Sequence, residues 1–269
     1  MVQIRGAGRP EDVFDEPRSG RLVAWGNAVL GGSASPDDAA EAVRGADDGH
    51  RVEGVPGAEG AGLTLALGRL RALGVTGLRL ALPAPGHPLG LTGPPAFNSR
   101  ALDAEEAVLT VGGGPLGLVP EVVRHGTEGD SLTRVVWHTL PVNEGVPADV
   151  PQLRDAEREL AAGLREATEA LLRLDVAGGG PAVQRALEAF RKRRAPMLLA
   201  PGYPPRAVRV LESARQVRSL LALASATDGA AVSAGEMAAR AEAIRPLDRI
   251  ARRAQVAAYN ALVDEPVRD

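Results

Sequence analysis

Three prolines fall within the stretch PVNEGVPADVPQ, residues 141–152, and they divide the chain into two parts with different hydrophobic periods. Proline fixes φ and has no N–H to donate, so neither a helix nor an interior strand runs through such a stretch. Ahead of it, short apolar runs alternate or sit between turn residues. Behind it, apolar residues recur at intervals of three, four and seven, the spacing of one helix face. This change of period predicts an α+β fold: an N-terminal helical hairpin plus a small mixed β-sheet lobe, followed by a C-terminal α-helical bundle. We place the division at 145/146, with an acidic α/β lobe over 1–145 and an Arg-rich helical bundle over 146–269.

In the front part, SGRLVAWGNAVLGG (19–32) puts Leu22, Trp25 and Val29 on one helix face, with Gly31 and Gly32 as a stop. SPDDAAEAVRG (35–45) follows, with Ser35 as N-cap, Pro36 in the first turn, and Asp37 and Asp38 at the positive end of the helix dipole. HRVEGVP (50–56) reads as a short strand, GLTLALGRLRALGV (62–75) as a helix and GLRLALP (77–83) as a strand. SRALDAEEAVLTV (99–111) fits a helix running into a strand. LGLVPEVV (116–123) and TRVVWHTLPV (133–142) read as strands joined by the turn cluster HGTEGDS, giving a sheet of about four strands.

In the rear part, Leu153, Leu160, Leu164, Ala167, Leu171 and Leu174 form a helical stripe that Gly178, Gly179 and Gly180 end. A shorter helix is expected from Pro181 to before Pro196, and another over 205–225. A last one opens with a Ser233/Glu236 capping box and breaks or kinks near Ile244 because of Pro246. The segments RLVAWGNAVLGG, SPDDAAEAVRG and RRAQVAAYNAL resemble segments of uncharacterised proteins from high-GC actinobacteria, across most of the chain. That resemblance implies no activity, cofactor or site.

Aromatic residues are only 3% of the chain, so the core must be built from Leu, Val and Ala. Cysteine is absent, which excludes disulfides, thiolate metal sites and Cys nucleophiles, and fits a reducing compartment. The opening MVQIRGAGRPEDVF has no apolar core like a signal peptide's, and no run of about 18 apolar residues occurs, so we expect a cytoplasmic protein without a membrane partner. Of the 31 basic residues only Lys192 is a lysine, a bias that follows a GC-rich genome and is not in itself evidence of phosphate recognition. Residues 1–140 carry 12 basic and 17 acidic side chains, and residues 151–269 carry 19 and 15. The acidic front and basic rear suit docking on each other or between protomers.

Gly129, Asp130, Ser131 and Leu132 spell the nucleophile motif of the GDSL esterases. In that family the serine follows the first strand near the N-terminus, and an Asp-x-x-His pair lies near the C-terminus. Here the motif is mid-chain, a β-run follows it, and only His138 comes after it, so we read Gly129 and Asp130 as a turn and Ser131 as its hydrogen-bonding residue. The four histidines (His50, His87, His125 and His138) show no ligand spacing, and we assign no metal and no cofactor. VGGGPLG (111–117) precedes a strand-like run, which suits a β-turn and not a phosphate loop.

LPAPGHPLGLTGPPAFNSR (82–100) is a long loop at a strand end, and His87, Asn98, Ser99 and Arg100 are its candidate ligand-binding residues. Arg191, Lys192, Arg193 and Arg194 are candidates for an anion or nucleic acid, joined by Arg206, Arg209, Arg215, Arg218, Arg249, Arg252 and Arg253 if these share a face. Interspersed acids, the scarcity of aromatics and a sequence pI near 5.9 argue against nucleic acid. No catalytic residue is assigned. The expected function is non-catalytic: an interaction or regulatory protein whose partner is another protein or a second copy. The alternatives are a small-ligand-binding protein or enzyme using the 84–100 loop, and a nucleic-acid-associated factor.

Overall fold

The structure, a computed structural model, describes residues 16–127, 130–173, 199–226 and 234–264. These form an α+β fold of seven helices and one five-stranded mixed sheet. In chain order the elements are α1 (Arg18–Leu30), α2 (Pro36–Arg44), β1 (Gly49–Glu53), α3 (Leu63–Ala72), β2 (Val75–Ala81), α4 (Pro95–Ala104), β3 (Ala107–Gly112), β4 (Leu116–Thr127), β5 (Asp130–Pro141), α5 (Leu153–Arg173), α6 (Pro205–Ala226) and α7 (Ala234–Asp264). The strand order is β1-β5-β4-β3-β2; β1 runs parallel to β5 and all other pairs are antiparallel.

Strand alternation sorts the apolar side chains onto two faces. Leu78, Leu80, Val108, Leu118, Val135 and Trp137 face a large core shared with α1, α3, α6 and α7. Ala81, Ala107, Leu109 and Val119 face a smaller one under Phe97 and Ala101 of α4. The large core is continuous from Leu22 on α1 to Ala261 on α7, and it is built mainly from Leu, Val and Ala with Trp137 and Tyr259 as its bulkiest buried members. Helices approach closely where small residues allow it: a Cβ added at Gly20 of α1 would lie 2.8 Å from the Tyr259 ring on α7.

Local chemistry explains several boundaries. The Ser35 hydroxyl accepts a hydrogen bond from the Asp38 N–H at 3.1 Å and caps α2, as the sequence predicts. Helix α1 has no capping side chain at its own start; the buried Glu106 carboxylate accepts from the Ser19 N–H at 2.7 Å instead. Gly113 and Gly114 make the turn between β3 and β4.

Two expectations need correction. The sheet has five strands and not four, because the ambiguous 99–111 segment resolves into α4 and the separate strand β3. Of the break or kink expected near Ile244, the break does not occur: α7 runs through Pro246 as one helix. Proline removes one backbone hydrogen bond, and packing of Leu247, Ile250, Ala251 and Ala254 in the core holds the helix together past it. The Gly178–Gly180 stop expected after the Leu153 stripe, the Pro181 helix and Ser233 of the capping box lie outside the described residues.

Both terminal strands of the sheet have their outer edges closed by devices other than strands. On β2, the Asn27 side chain accepts from the Leu78 N–H at 2.7 Å and donates to the Leu78 carbonyl at 2.9 Å. Asn260 of α7 repeats this at Leu80, at 2.7 and 3.3 Å. On β1, the Val52 N–H donates to the Ala61 carbonyl at 2.8 Å. An open strand edge invites pairing with another chain, and these contacts close it.

Candidate functional site

The 84–100 loop does not gather its four candidates into one place. His87 is 4% exposed, and its Nε2 lies 2.5 Å from the Asp149 carboxylate. Arg252 of α7 reaches His87 Nδ1 at 3.2 Å. Arginine can only donate, so Nδ1 accepts and Nε2 carries the proton given to Asp149. The neutral ring fits its surroundings: burial holds its pKa below the ordinary value and the Arg252 and Arg249 charges add to this, against Asp149. Arg249 donates to Asp149 at 3.0 Å, and Arg253 bonds both Asp149 and, at 3.1 Å, Glu159 of α5. Burial raises the Asp149 pKa, but the bonds from Arg253, Arg249 and His87 outweigh it and bring it down to about 2.

Asn98 has a different role. Its side chain accepts from the Gly93 N–H at 3.0 Å and closes the loop onto the start of α4. Ser99 and Arg100 are exposed on that helix. The proline-dense elbow is pinned to the same loop: Gly90 donates to the Ala148 carbonyl at 2.7 Å, Ala148 to Leu91 at 3.3 Å, and Asn143 to Gly93 at 3.1 Å. Asp149 takes a left-handed φ of 56°, which aspartate tolerates better than most residues. The junction of loop, elbow and α7 is therefore a half-exposed polar clamp around a buried His87, both of whose ring nitrogens are occupied. Beside it, an open cleft of about 370 Å³ lies between the elbow and α7, lined by Pro147, Val150, Pro151, Leu153, Ala257 and Ala261 among others.

Ser131 is a strand residue opposite Gly126, not part of the turn; residues 128 and 129 lie outside the described set. His138 is on the same strand at an odd spacing, hence on the opposite face and ~23 Å along it. His125 pairs with Leu132 in the register and also points away from the Ser131 face. His138 bonds the Glu121 carboxylate at 2.6 Å. His50 is held between Asp47 (3.0 Å) and the Trp137 indole N–H (3.2 Å), while Arg18 grips Asp47 with two nitrogens at 2.8 and 2.6 Å. Among the described residues no group of three or more His, Asp or Glu is placed to hold a metal ion.

The rear arginines answer carboxylates of this chain. Arg206 pairs with Glu157, Arg218 and Arg252 with Asp248, Arg249 with Asp149, and Arg253 with Asp149 and Glu159. Arg191, Lys192, Arg193 and Arg194 lie outside the described residues. No helix among the described residues is long and apolar enough to cross a membrane.

One backbone edge differs from the rest of the sheet. β4 and β5 pair along their full length, from Leu116↔Pro141 to Thr127↔Asp130. β3 covers β4 only at Gly117 and Leu118. Pro120 lies opposite Trp137 and Pro141 opposite Leu116. Prolines donate nothing, so these are the pairs without ladder hydrogen bonds, and the even-numbered residues of β4 turn their backbone groups away from β5. The Leu116 N–H confirms this parity by donating outward to the Thr110 hydroxyl at 2.9 Å. Beyond Leu118, then, Val122 and Gly126 present N–H and C=O groups on an edge where they have no strand partner among the described residues. On β5 the corresponding edge is covered by β1 and by Asp48, whose N–H donates to the Thr133 carbonyl at 2.8 Å. Leu132 of β5, 48% exposed, lies opposite His125 of β4.

Sequence reasoning missed Asp149, Arg252 and Glu159 as partners of one clamp, and it missed the overhang. The signal for the first was an aspartate framed by prolines. The second could be found only from unequal strand lengths.

The N-terminal-domain model of the Rv1486c-like protein family matches residues 19–153, and the C-terminal-domain model matches residues 154–256. The chain is 32% identical over 281 residues to the uncharacterised proteins MT1533 and Rv1486c of two Mycobacterium tuberculosis strains, spanning 90% of this chain and 96% of each relative. It is 30% identical over 292 residues to the uncharacterised protein ML1804 of Mycobacterium leprae, with the same coverage. No solved structure matches the chain. These relatives agree with the resemblance to uncharacterised actinobacterial proteins read from the sequence, and with the two models matching adjoining stretches over most of its length, the chain belongs to the Rv1486c-like protein family.

Proposed function

We propose that this protein is a non-catalytic, cytoplasmic interaction or regulatory protein that binds a protein partner by strand addition along the outer edge of β4. The observation that carries this reading is the contrast between edges. Asn27, Asn260 and Ala61 occupy outer groups of β2 and β1, whereas Val122 and Gly126 of β4 have no strand partner on that side among the described residues. Added strands gain main-chain hydrogen bonds worth about 0.5–1.5 kcal/mol each, with neighbouring side chains supplying specificity. In this reading the front part, 1–145, carries the helical hairpin and the binding sheet, and the rear helical bundle, 146–269, braces it through Asn260 and the Asp149 clamp.

A photo-crosslinking residue at Leu132 tests it in cells, with one at Leu65 of α3, 61% exposed, as control. Capture at Leu132 that disappears with Val122→Pro, and none at Leu65, supports strand addition. Equal capture at both positions, or capture that survives Val122→Pro, rejects it.

The cleft of about 370 Å³ favours a second reading, a small apolar ligand held between the elbow and α7 instead of by the 84–100 loop. A thermal-shift screen with apolar carboxylic acids tests this, since a ligand at about 100 times its Kd adds about 2.7 kcal/mol.

A further inference from the structure

We propose that the cleft between the elbow and α7 binds a free aliphatic amino acid, its two charged groups held by the Arg79–Asp264 pair and its side chain by the apolar walls. The inference rests on the small-ligand reading of that cleft and names the ligand class. Arg79 of β2 and Asp264 at the end of α7 both line the cleft. The Arg79 Nε and Nη2 lie 2.9 and 2.8 Å from the same oxygen of Asp264, Oδ1. A guanidinium donates from all its nitrogens and a carboxylate accepts at both oxygens, so this one-oxygen contact leaves donors on Arg79 and Oδ2 on Asp264 for a further group. Both side chains can be reached from solvent, at 26% and 34% exposed.

The pair selects the charge of what it takes. A plain carboxylate drawn to Arg79 meets the Asp264 carboxylate beside it, and a plain amine drawn to Asp264 meets the guanidinium. An α-amino acid carries both charges on one carbon, so its carboxylate faces Arg79, its ammonium faces Asp264, and each charge has an opposite neighbour. Among the described residues the lining holds no other charged side chain, so a third charge on the ligand finds no partner there. The rest of the cleft suits an aliphatic group. Pro147 and Val150 form the elbow wall, and Ala257 and Ala261, one turn apart on α7, form the other. Val146, also in the lining, is 93% exposed, so an aliphatic group seated against it takes apolar surface out of water. The elbow wall is set before binding: Asp149, between Pro147 and Val150, is tied to α7 by Arg249 and Arg253, which reduces the ordering cost. A volume of about 370 Å³ is at the small end of ligand sites, which run to about 1,000 Å³, and fits one amino acid.

Isothermal titration calorimetry on the full chain tests the proposal, with L-leucine, its deaminated analogue 4-methylpentanoate and its decarboxylated analogue 3-methylbutylamine. L-Leucine is expected to bind with a Kd below about 1 mM, and each analogue at least about tenfold more weakly. Arg79→Gln and Asp264→Asn are each expected to weaken leucine by at least about tenfold. Both residues also join β2 to α7, so circular dichroism checks that each variant folds. Val146→Ser, at a side chain the fold leaves in solvent, gives an independent reading: it is expected to weaken leucine by about threefold or more with the melting curve unchanged. Either analogue binding as tightly as leucine, or binding where leucine does not, overturns the amino-acid assignment and keeps the small-ligand reading. Failure of all three compounds to bind overturns both. Leucine binding that persists in folded Arg79→Gln and Asp264→Asn proteins, or that is indifferent to Val146→Ser, overturns the proposed seat.

Discussion

Asn27 meets Leu78 as a neighbouring strand would, taking its N–H at 2.7 Å and serving its carbonyl at 2.9 Å, with both residues buried. Asn260 treats Leu80 in the same way from α7. Replacing either asparagine with alanine strands a buried donor and acceptor of β2, each costing about 1–3 kcal/mol. We expect Asn27→Ala and Asn260→Ala each to lower the unfolding free energy by about 2–4 kcal/mol in urea titrations, an effect near the sum of two such penalties. Aspartate does no better, because a carboxylate accepts from the N–H but offers the carbonyl nothing. A loss within the noise of the titration would mean that water replaces the amide and that this edge is open.

His87 and Asp149 predict two separate steps in stability as pH falls. The folded-state pKa of His87 lies below the ordinary 6.5, so the unfolded chain binds the proton first. The corresponding stability is complete above about pH 6.5 and declines as pH drops through the folded value. Asp149, lowered from 3.8 to about 2, contributes stability that is present above its unfolded pKa and lost as pH falls from about 4 to 2. Urea midpoints taken from pH 8 to 2.5 should show both declines. His87→Gln should flatten the upper one and Asp149→Asn the lower one, the latter variant keeping a residue type that accepts the left-handed φ.

The pattern of helices and strands was largely legible because local rules acted alone. Ser35, Pro36 and the two aspartates mark the start of α2, and the alternation of Leu78, Leu80 and Leu82 marks β2. The continuation of α7 through Pro246 was not legible, since it depends on packing from both sides and not on local propensity. The clamp was hidden for a similar reason. Asp149 and Arg253 are 104 residues apart, and nothing in either neighbourhood announces the other. His87 was visible as a polar residue in a long loop, but its role is set by Arg252, which the sequence presents as one of many arginines. The overhang of β4 is a difference between the reach of two neighbouring strands, so it becomes visible only in the register.

Arg18 and Asp47 form a buried two-point pair that also receives Arg21 at 3.3 Å and His50 at 3.0 Å. Burial works against ionised Asp47, yet His50, Arg18 and Arg21 together hold its carboxyl well below the usual range. Removing one partner of such a pair leaves an uncompensated buried charge, a change that costs about 3–5 kcal/mol. Arg18→Ala is therefore expected to be severely destabilising by urea titration, and Arg18→Lys to recover only part of the loss, because an ammonium group cannot reproduce the fork. Equal stability of the lysine variant and the wild type would show that charge alone suffices at this position.

Gly117 lies where β4 passes beneath α4, and its missing side chain is a packing requirement. A Cβ there would press on the Phe97 ring, with one ring carbon 2.8 Å away, and would sit 2.6 Å from the Val142 side chain. Phe97 is fully buried and Val142 is buried, so neither has free space into which to move. Overpacking of this kind costs about 1–3 kcal/mol, so Gly117→Ala should lower stability by that amount even though alanine is a better strand residue than glycine. Trimming the ring in the double variant Gly117→Ala with Phe97→Leu should return part of the loss. The two changes would then be non-additive in a double-mutant cycle, as expected for side chains in direct contact. Strict additivity would show that the penalty arises in the backbone of β4 and not against the ring.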